Sequence, residues 1–163
     1  MMSRKLKLAM IMTSQWTLLT ALGVAVVLTR PIQRFSYQTL VGAVVALSGF
    51  AVMAAALIVY HRANRDSIIN IVPTPHQRAR LVTNGIYAYV RHPIYLGVVL
   101  VTAGILIWYA TLPITILWVL IVAFLQIKSR HEESLLLERY DEYEGYRQRS
   151  GRILPRLIAR RHR

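Results

Sequence analysis

Three long uncharged blocks interrupt a chain that is otherwise rich in arginine. The first covers residues 8–28, the second 38–60 and the third 94–127. At about 1.5 Å rise per residue, the first two are each long enough as a helix to cross one hydrocarbon core of roughly 30 Å. The third is too long to cross once. Trp108, Tyr109 and Pro113 sit near its middle. Aromatic rings favour a membrane interface, and proline is tolerated in the first turn of a helix. The third block therefore reads as two helices, 94–109 and 112–128, joined by a tight turn. The predicted fold is an all-α membrane protein with four transmembrane helices, 8–28, 38–60, 94–109 and 112–128, in a single domain. The last two form a C-terminal helical hairpin.

The polar segments fill in the rest. Arg4, Lys5 and Lys7 precede the first block, as they would in a signal peptide, but the block exceeds the usual 7–15 residues and no small-x-small site ends it. An uncleaved helix is expected. The second block carries Gly42, Ala46, Gly49 and Ala56 among many small residues, which let helix backbones approach closely in lipid. We expect that packing within the bundle. The stretch 61–93 is a long loop with turn residues Pro73, Pro75 and Asn84-Gly85, yet it is apolar at Leu81, Val82, Ile86, Tyr87 and Val90. It should fold against the membrane face. After the third block, 129–150 is expected as an amphipathic cytoplasmic helix, with Leu136, Tyr140, Tyr143 and Arg147 on one face. A capping box at Ser129–Glu132, starting a new helix there, is the alternative.

Charge decides orientation. The net charge is +13, and there is no cysteine, which removes disulfides and thiol chemistry. The basic residues lie between and after the apolar blocks, a pattern for an anionic lipid surface and not for nucleic acid. Arg30 and Arg34 are the basic residues of the first loop. Arg62, Arg65, Arg78, Arg80 and Arg91 belong to the second, and ten more follow from Lys128. The positive-inside rule puts both termini and the 61–93 loop in the cytoplasm. The expected location is a plasma or inner membrane, with membrane lipids as partners. Oligomeric state is left open by the sequence.

Two short stretches carry candidate chemistry. In Arg91-His92-Pro93-Ile94-Tyr95, the proline fits the first helical position and the helix start is a place for an anion, reinforced by Arg91 and His92. The anion is a lipid phosphate on one reading, or a carboxylate or phosphate of a bound cofactor on another. In His131-Glu132-Glu133, two acids stand where the third block ends. They are either a solvated helix segment or a cation site. The hairpin brings the two stretches to the same membrane face, near Tyr87, Tyr89 and Tyr95. That pairing suits a zwitterionic, cationic ligand. A metal is not expected, because the histidines lack ligand spacing. No P-loop, GxGxxG or GxSxG is present.

The run LVTNGIYAYVRHPIYLG, an apolar hairpin, HEESLLLERYDEYEGYRQR and then LP together resemble the isoprenylcysteine carboxyl methyltransferase and phospholipid methyltransferase superfamily of integral membrane enzymes. The resemblance spans about 80–155. It implies S-adenosylmethionine as cofactor, contacted by Arg80, Leu81, Val82, Tyr87, His92, Pro93, Ile94, Tyr95 and Glu132. It also implies roles in the reaction for Arg91, His92, Lys128 and Glu133. Lys128 takes the place of a basic residue that helps hold the acceptor; where arginine offers a bidentate fork, lysine offers a point charge. The implied activity is methyl transfer to a lipid-like or isoprenylcysteine-like acceptor, at a carboxylate or an amine. An NADPH-dependent reductase on the same scaffold and a non-enzymatic lipid-binding protein are the competing readings.

Overall fold

The computed structural model describes residues 4–29, 36–64 and 80–156. The first-loop basic residues Arg30 and Arg34, and Arg65, Pro73, Pro75 and Arg78 of the second loop, lie outside them. Five helices are described: α1 (Arg4–Thr29), α2 (Tyr37–Ala63), α3 (Pro93–Tyr109), α4 (Leu112–Arg139) and α5 (Tyr143–Arg149), with a short 3₁₀ turn at Gly85–Ala88. Three of them have the length and apolar character to cross a membrane: Met10–Thr29, Tyr37–Ala63 and Leu112–Arg139. The helix α3 is equally apolar but has 17 residues. Many of their large apolar side chains, including Leu28, Leu40, Val44, Leu47, Ile116 and Ile127, face outward. In a bilayer that outward apolar face is the favourable one.

The hairpin forms as the sequence predicts. Tyr109 ends α3, Ala110 turns in the left-handed region at φ 44°, and Thr111 and Leu112 begin α4 with Pro113 in its first turn. The expected boundary at residue 128 is not there. The helix α4 runs on without a break for about three more turns, to Arg139. The Ser129 hydroxyl donates back to the Gln126 carbonyl at 3.0 Å, so it serves the helix interior and builds no capping box. The expected single helix over 129–150 is instead divided. Tyr140 is extended, 141–142 form a turn, and α5 follows. That bend separates Leu136 from Tyr143, so the face proposed for 129–150 does not exist as one stripe.

Packing places α3 between α2 and α4, with α1 against α4. The small residues of α2 meet α3 glycine to glycine. A Cβ on Gly49 would lie 2.6 Å from the Gly97 carbonyl, and one on Gly104 would lie 2.5 Å from that of Gly42. Both pairs repeat at seven residues, so the two antiparallel backbones touch over two levels. On the other side, one buried apolar cluster runs through Leu22 of α1, Ile114, Ile121 and Leu125 of α4 and Ile153 of the C-terminal segment.

These contacts separate two kinds of glycine. Gly104→Ala forces a methyl into backbone atoms and should destabilise the protein by about 1–3 kcal/mol, as overpacking does. Gly23→Ala meets nothing within 4 Å and should leave the protein as stable or slightly more so. Thermal unfolding in detergent would compare them. Equal midpoints would refute the close α2–α3 contact.

Candidate functional site

The site forms where α3 begins and α4 passes it. Proline has no N–H and restricts the residue before it, so His92 leaves the helical region (φ −120°, ψ 64°) and Pro93 opens α3. The His92 carbonyl accepts from the Tyr95 and Leu96 amides at 3.0 and 3.1 Å. Its own N–H donates to the Arg152 carbonyl at 3.0 Å. The imidazole therefore hangs from a backbone fixed on both sides, and its ring stacks on Tyr95 with centroids 5.2 Å apart.

The loop before it is tied to α2. Asn64, buried at the end of α2, accepts from the Arg80 amide at 2.7 Å and donates to the Arg80 carbonyl at 3.4 Å. Val82 and Tyr87 pack on Ala56, with Ile94 alongside. Gly85 takes φ 57°, a conformation that suits glycine, and sits against Val59. Burial raises the Tyr87 hydroxyl above its ordinary pKa, and the Tyr87 carbonyl accepts from the Tyr146 hydroxyl at 2.7 Å. Burial likewise pushes Tyr146 up to about 12, so it stays a neutral donor. The Tyr143 hydroxyl is raised too, by burial first and then by the Glu133 charge.

Adjacent positions on a helix point about 100° apart, and the two acids of α4 have separate partners. Glu133 is 3% exposed in its side chain and is enclosed by cations. Arg91 Nε donates to its Oε1 at 2.8 Å, and Arg152 Nε reaches its Oε2 at 3.1 Å. Arg91 also donates through Nη1 to the carbonyls of Arg147, at 2.9 Å, and Ser150. The arginine expected at an anion site is thus filled from within the chain. Glu132 is more open, at 16% side-chain exposure, and receives the Tyr95 hydroxyl at 2.6 and 2.7 Å.

His92 lies between the acids. Nδ1 is 3.6 Å from Glu132 Oε2, and Nε2 is 3.4 Å from Glu133 Oε1, buried and short of hydrogen-bond geometry. One turn earlier on α4, the Lys128 ammonium lies 5.2 Å from the centre of the Tyr95 ring and donates to Gln15 of α1.

The structure therefore gathers Arg91, His92, Tyr95, Lys128, Glu132 and Glu133 into one cluster. Val82 and Tyr87 are buried beside it against α2, joined through Ile94 and Pro93. Leu81 is half-buried. Arg80 is held by its backbone, with its side chain exposed. Two participants carry no motif signal: Arg152 and Gln15. Arg152 belongs to a C-terminal segment that pairs with the loop. Gly151 accepts from the Arg91 amide at 2.8 Å and donates to the Tyr89 carbonyl at 2.9 Å, a parallel bridge between Val90 and Gly151.

The enclosure of Glu133 makes a stability prediction. Removing one partner of a fully isolated buried pair loses about 3–5 kcal/mol, and here Arg152 remains on Glu133 to offset part of that. Arg91→Ala should lower the unfolding midpoint strongly. Arg91→Lys should rescue it only in part, since lysine cannot serve Glu133 and two carbonyls at once. Arg152→Ala, at a half-exposed partner, should fall between wild type and Arg91→Ala. Detergent-phase melting curves of the three variants would check the order.

A family model described as phospholipid methyltransferase matches residues 37–143, from the start of α2 to the first residue of α5. No curated protein matches the sequence. The matched region holds the loop, the hairpin, both acids and every member of the cluster except Gln15 and Arg152. The chain belongs to the phospholipid methyltransferase family.

Proposed function

We propose that the protein is an S-adenosylmethionine-dependent membrane methyltransferase acting on a lipid-like or isoprenylcysteine-like acceptor. The observation that supports this most is the His92–Tyr95–Glu132 cluster inside the family-matched region. In it, a half-open carboxylate and a buried imidazole nitrogen without a hydrogen bond stand together at a helix start. In this reading α3 makes the fourth crossing, and both termini and the 61–93 loop are cytoplasmic.

The residues fit that cofactor by the chemistry of their donors and acceptors. It carries an ammonium, a sulfonium and a carboxylate. Glu132 offers a carboxylate for the positive groups, oriented by the Tyr95 phenol. The stacked rings of His92 and Tyr95 offer aromatic faces for a cationic centre. Pro93 and Ile94 form the floor through which the loop residues Val82 and Tyr87 hold the helix start in place. When bound, the cofactor supplies an activated methyl group.

The protein's part is alignment and exclusion of water, since a displacement at a sulfonium methyl is governed by approach geometry. The apolar helices around the cluster exclude water. A carboxylate acceptor is already a nucleophile at neutral pH. An amine acceptor has to lose a proton, and His92 is the group placed to take it. Glu133 does not serve as that base, because Arg91 and Arg152 occupy its oxygens. It acts as a positioning residue, and so does Arg91. Lys128 is placed to hold the acceptor.

Calorimetric titration of S-adenosylmethionine into the purified protein in detergent tests this reading. Wild type should bind, and His92→Ala and Glu132→Ala should each weaken binding by at least about tenfold, a loss of roughly 1.4 kcal/mol or more. Tyr95→Phe, which frees Glu132 of its phenol, should weaken it less. Absence of binding by folded wild type would overturn the proposal. Titration of NADPH in the same cell would then decide for or against the reductase reading.

A further inference from the structure

The segment 150–156 has two faces. The inner one holds the site. The Gly151 carbonyl accepts from the Arg91 amide at 2.8 Å, and the Arg152 carbonyl accepts from the His92 amide at 3.0 Å. The Arg152 guanidinium reaches Glu133 Oε2 at 3.1 Å. The segment also closes around Tyr89, whose carbonyl accepts from the Gly151 amide at 2.9 Å and the Arg156 amide at 3.2 Å. The turn is so tight that a Cβ on Gly151 would collide with the Leu154 carbonyl.

The outer face is apolar and basic. Ile153 is buried in the cluster that runs through α1 and α4, whereas the next residue, Leu154, is 70% exposed and Tyr89 is 57% exposed. Both stand at the edge of the apolar layer. The helix α4, long and apolar enough to cross a membrane, has no charge before Lys128, and the Val90–Gly151 bridge lies three residues from the start of α3 at Pro93. Tyrosine, leucine and arginine at that depth suit a membrane interface. The charge has one sign: seven arginines and no acid follow Glu144. Arg147 and Arg152 pair with Glu144 and Glu133. Arg149 and Arg156 are exposed, and they donate to the carbonyls of Gly145 and Gln148. The complement of such a face is an anionic lipid surface.

We propose that the segment 150–156 is a strap held on the site by anionic lipid: Leu154 and Tyr89 enter the interface, Arg149 and Arg156 meet the head groups, and this docking keeps Arg152 on Glu133 and His92. A short segment with few buried contacts opens readily by itself. Lipid on its outer face makes opening costlier, so the geometry around His92 depends on the charge of the bilayer. This deepens the methyltransferase reading and rests on it only for the cofactor whose binding reports on the site.

The test is hydrogen exchange of the full chain in nanodiscs of phosphatidylcholine alone, or of equal parts phosphatidylcholine and phosphatidylglycerol. Exchange of the peptides covering 89–92 and 151–156 should be at least about tenfold slower in the anionic discs, the effect of two arginines at an anionic surface. Arg149→Gln combined with Arg156→Gln should erase that difference and leave exchange in phosphatidylcholine unchanged. A merely structural role for these arginines would instead speed exchange in both discs. Arg130→Gln, at an exposed arginine of α4, should keep the difference. Leu154→Ser should reduce it.

Equal exchange of wild type in the two discs, or an undiminished difference in the double variant, would overturn the proposal. So would slowing by soluble polyglutamate in phosphatidylcholine discs, since the face would then take an acidic peptide. S-adenosylmethionine affinity, measured in the same discs, should be several-fold higher in the anionic ones. Slower exchange with unchanged affinity would overturn the link between strap and site. Lipid-dependent exchange with no cofactor binding in either disc would sink the methyltransferase reading and leave the docking of the strap standing. Equal exchange with cofactor bound equally in both would do the reverse.

Discussion

The pairing of Arg91 with Glu133 is the constraint around which the polar end of this molecule is built. Each side chain is almost fully buried, and neither would be tolerated there alone. Together they connect three segments far apart in sequence: the loop that follows α2, the extension of α4, and the turn after α5. The guanidinium fork serves one carboxylate oxygen and two carbonyls, a demand that only arginine meets with a single planar group. Arg152 adds a second cation to the same acid. The position of His92 is a consequence. Its backbone runs between Arg91 and Pro93, its amide is bound by the Arg152 carbonyl, and its ring has little choice but to lie between the acids. Glu132, one residue from the enclosed acid, is left turned toward Tyr95.

This division of labour between neighbouring acids explains how much could be read in advance. Arg91-His92-Pro93 and Glu132-Glu133 announce themselves because charge at the ends of apolar helices is rare and because proline dictates where α3 starts. Which acid is structural and which is reachable does not show in the letters, since both follow the same hydrophobic run. The hairpin turn was legible from Pro113 and the aromatic pair. The continuation of α4 past residue 128 was not. Loss of hydrophobicity there resembles an ending, whereas Ser129 bonds back into the helix and no glycine or proline interrupts it. The small residues of α2 indicated close packing, but not that their partners are Gly97 and Gly104 at the same seven-residue spacing. Arg152 and Gln15 were invisible for a common reason: each acts alone, without periodicity, and gains its meaning from a partner more than a dozen positions away.

Two layers of the structure follow from where the family match falls. The matched part, α2 through the start of α5, contains the hairpin and the acids. The parts outside it, α1 and the segment 150–156, also reach the cluster. Arg152 of the C-terminal segment donates to the enclosed acid, and Gly151 bonds to the loop at Arg91 and Tyr89. Gln15 of α1 accepts from Lys128, and Leu18 and Leu19 line the pocket between α1, α3 and α4. The cluster within the matched region is thus completed from both of the segments outside it.

The turn at Ala110–Thr111 has a geometric effect beyond joining two helices. It pins α3 and α4 together at one end, so all of their difference in length appears at the other. With 17 residues against 28, α4 overshoots the start of α3 by about 16 Å at 1.5 Å per residue. Lys128, Glu132 and Glu133 occupy the beginning of that overhang, level with His92 or just past it. The hairpin works as a ruler: its turn is the zero mark, and the number of residues along each arm sets which acid meets the imidazole. Inserting a single residue into either arm would rotate the register by about 100° and present a different side chain to His92. For this molecule, counting residues from the turn matters as much to the chemistry as the identity of the acids themselves.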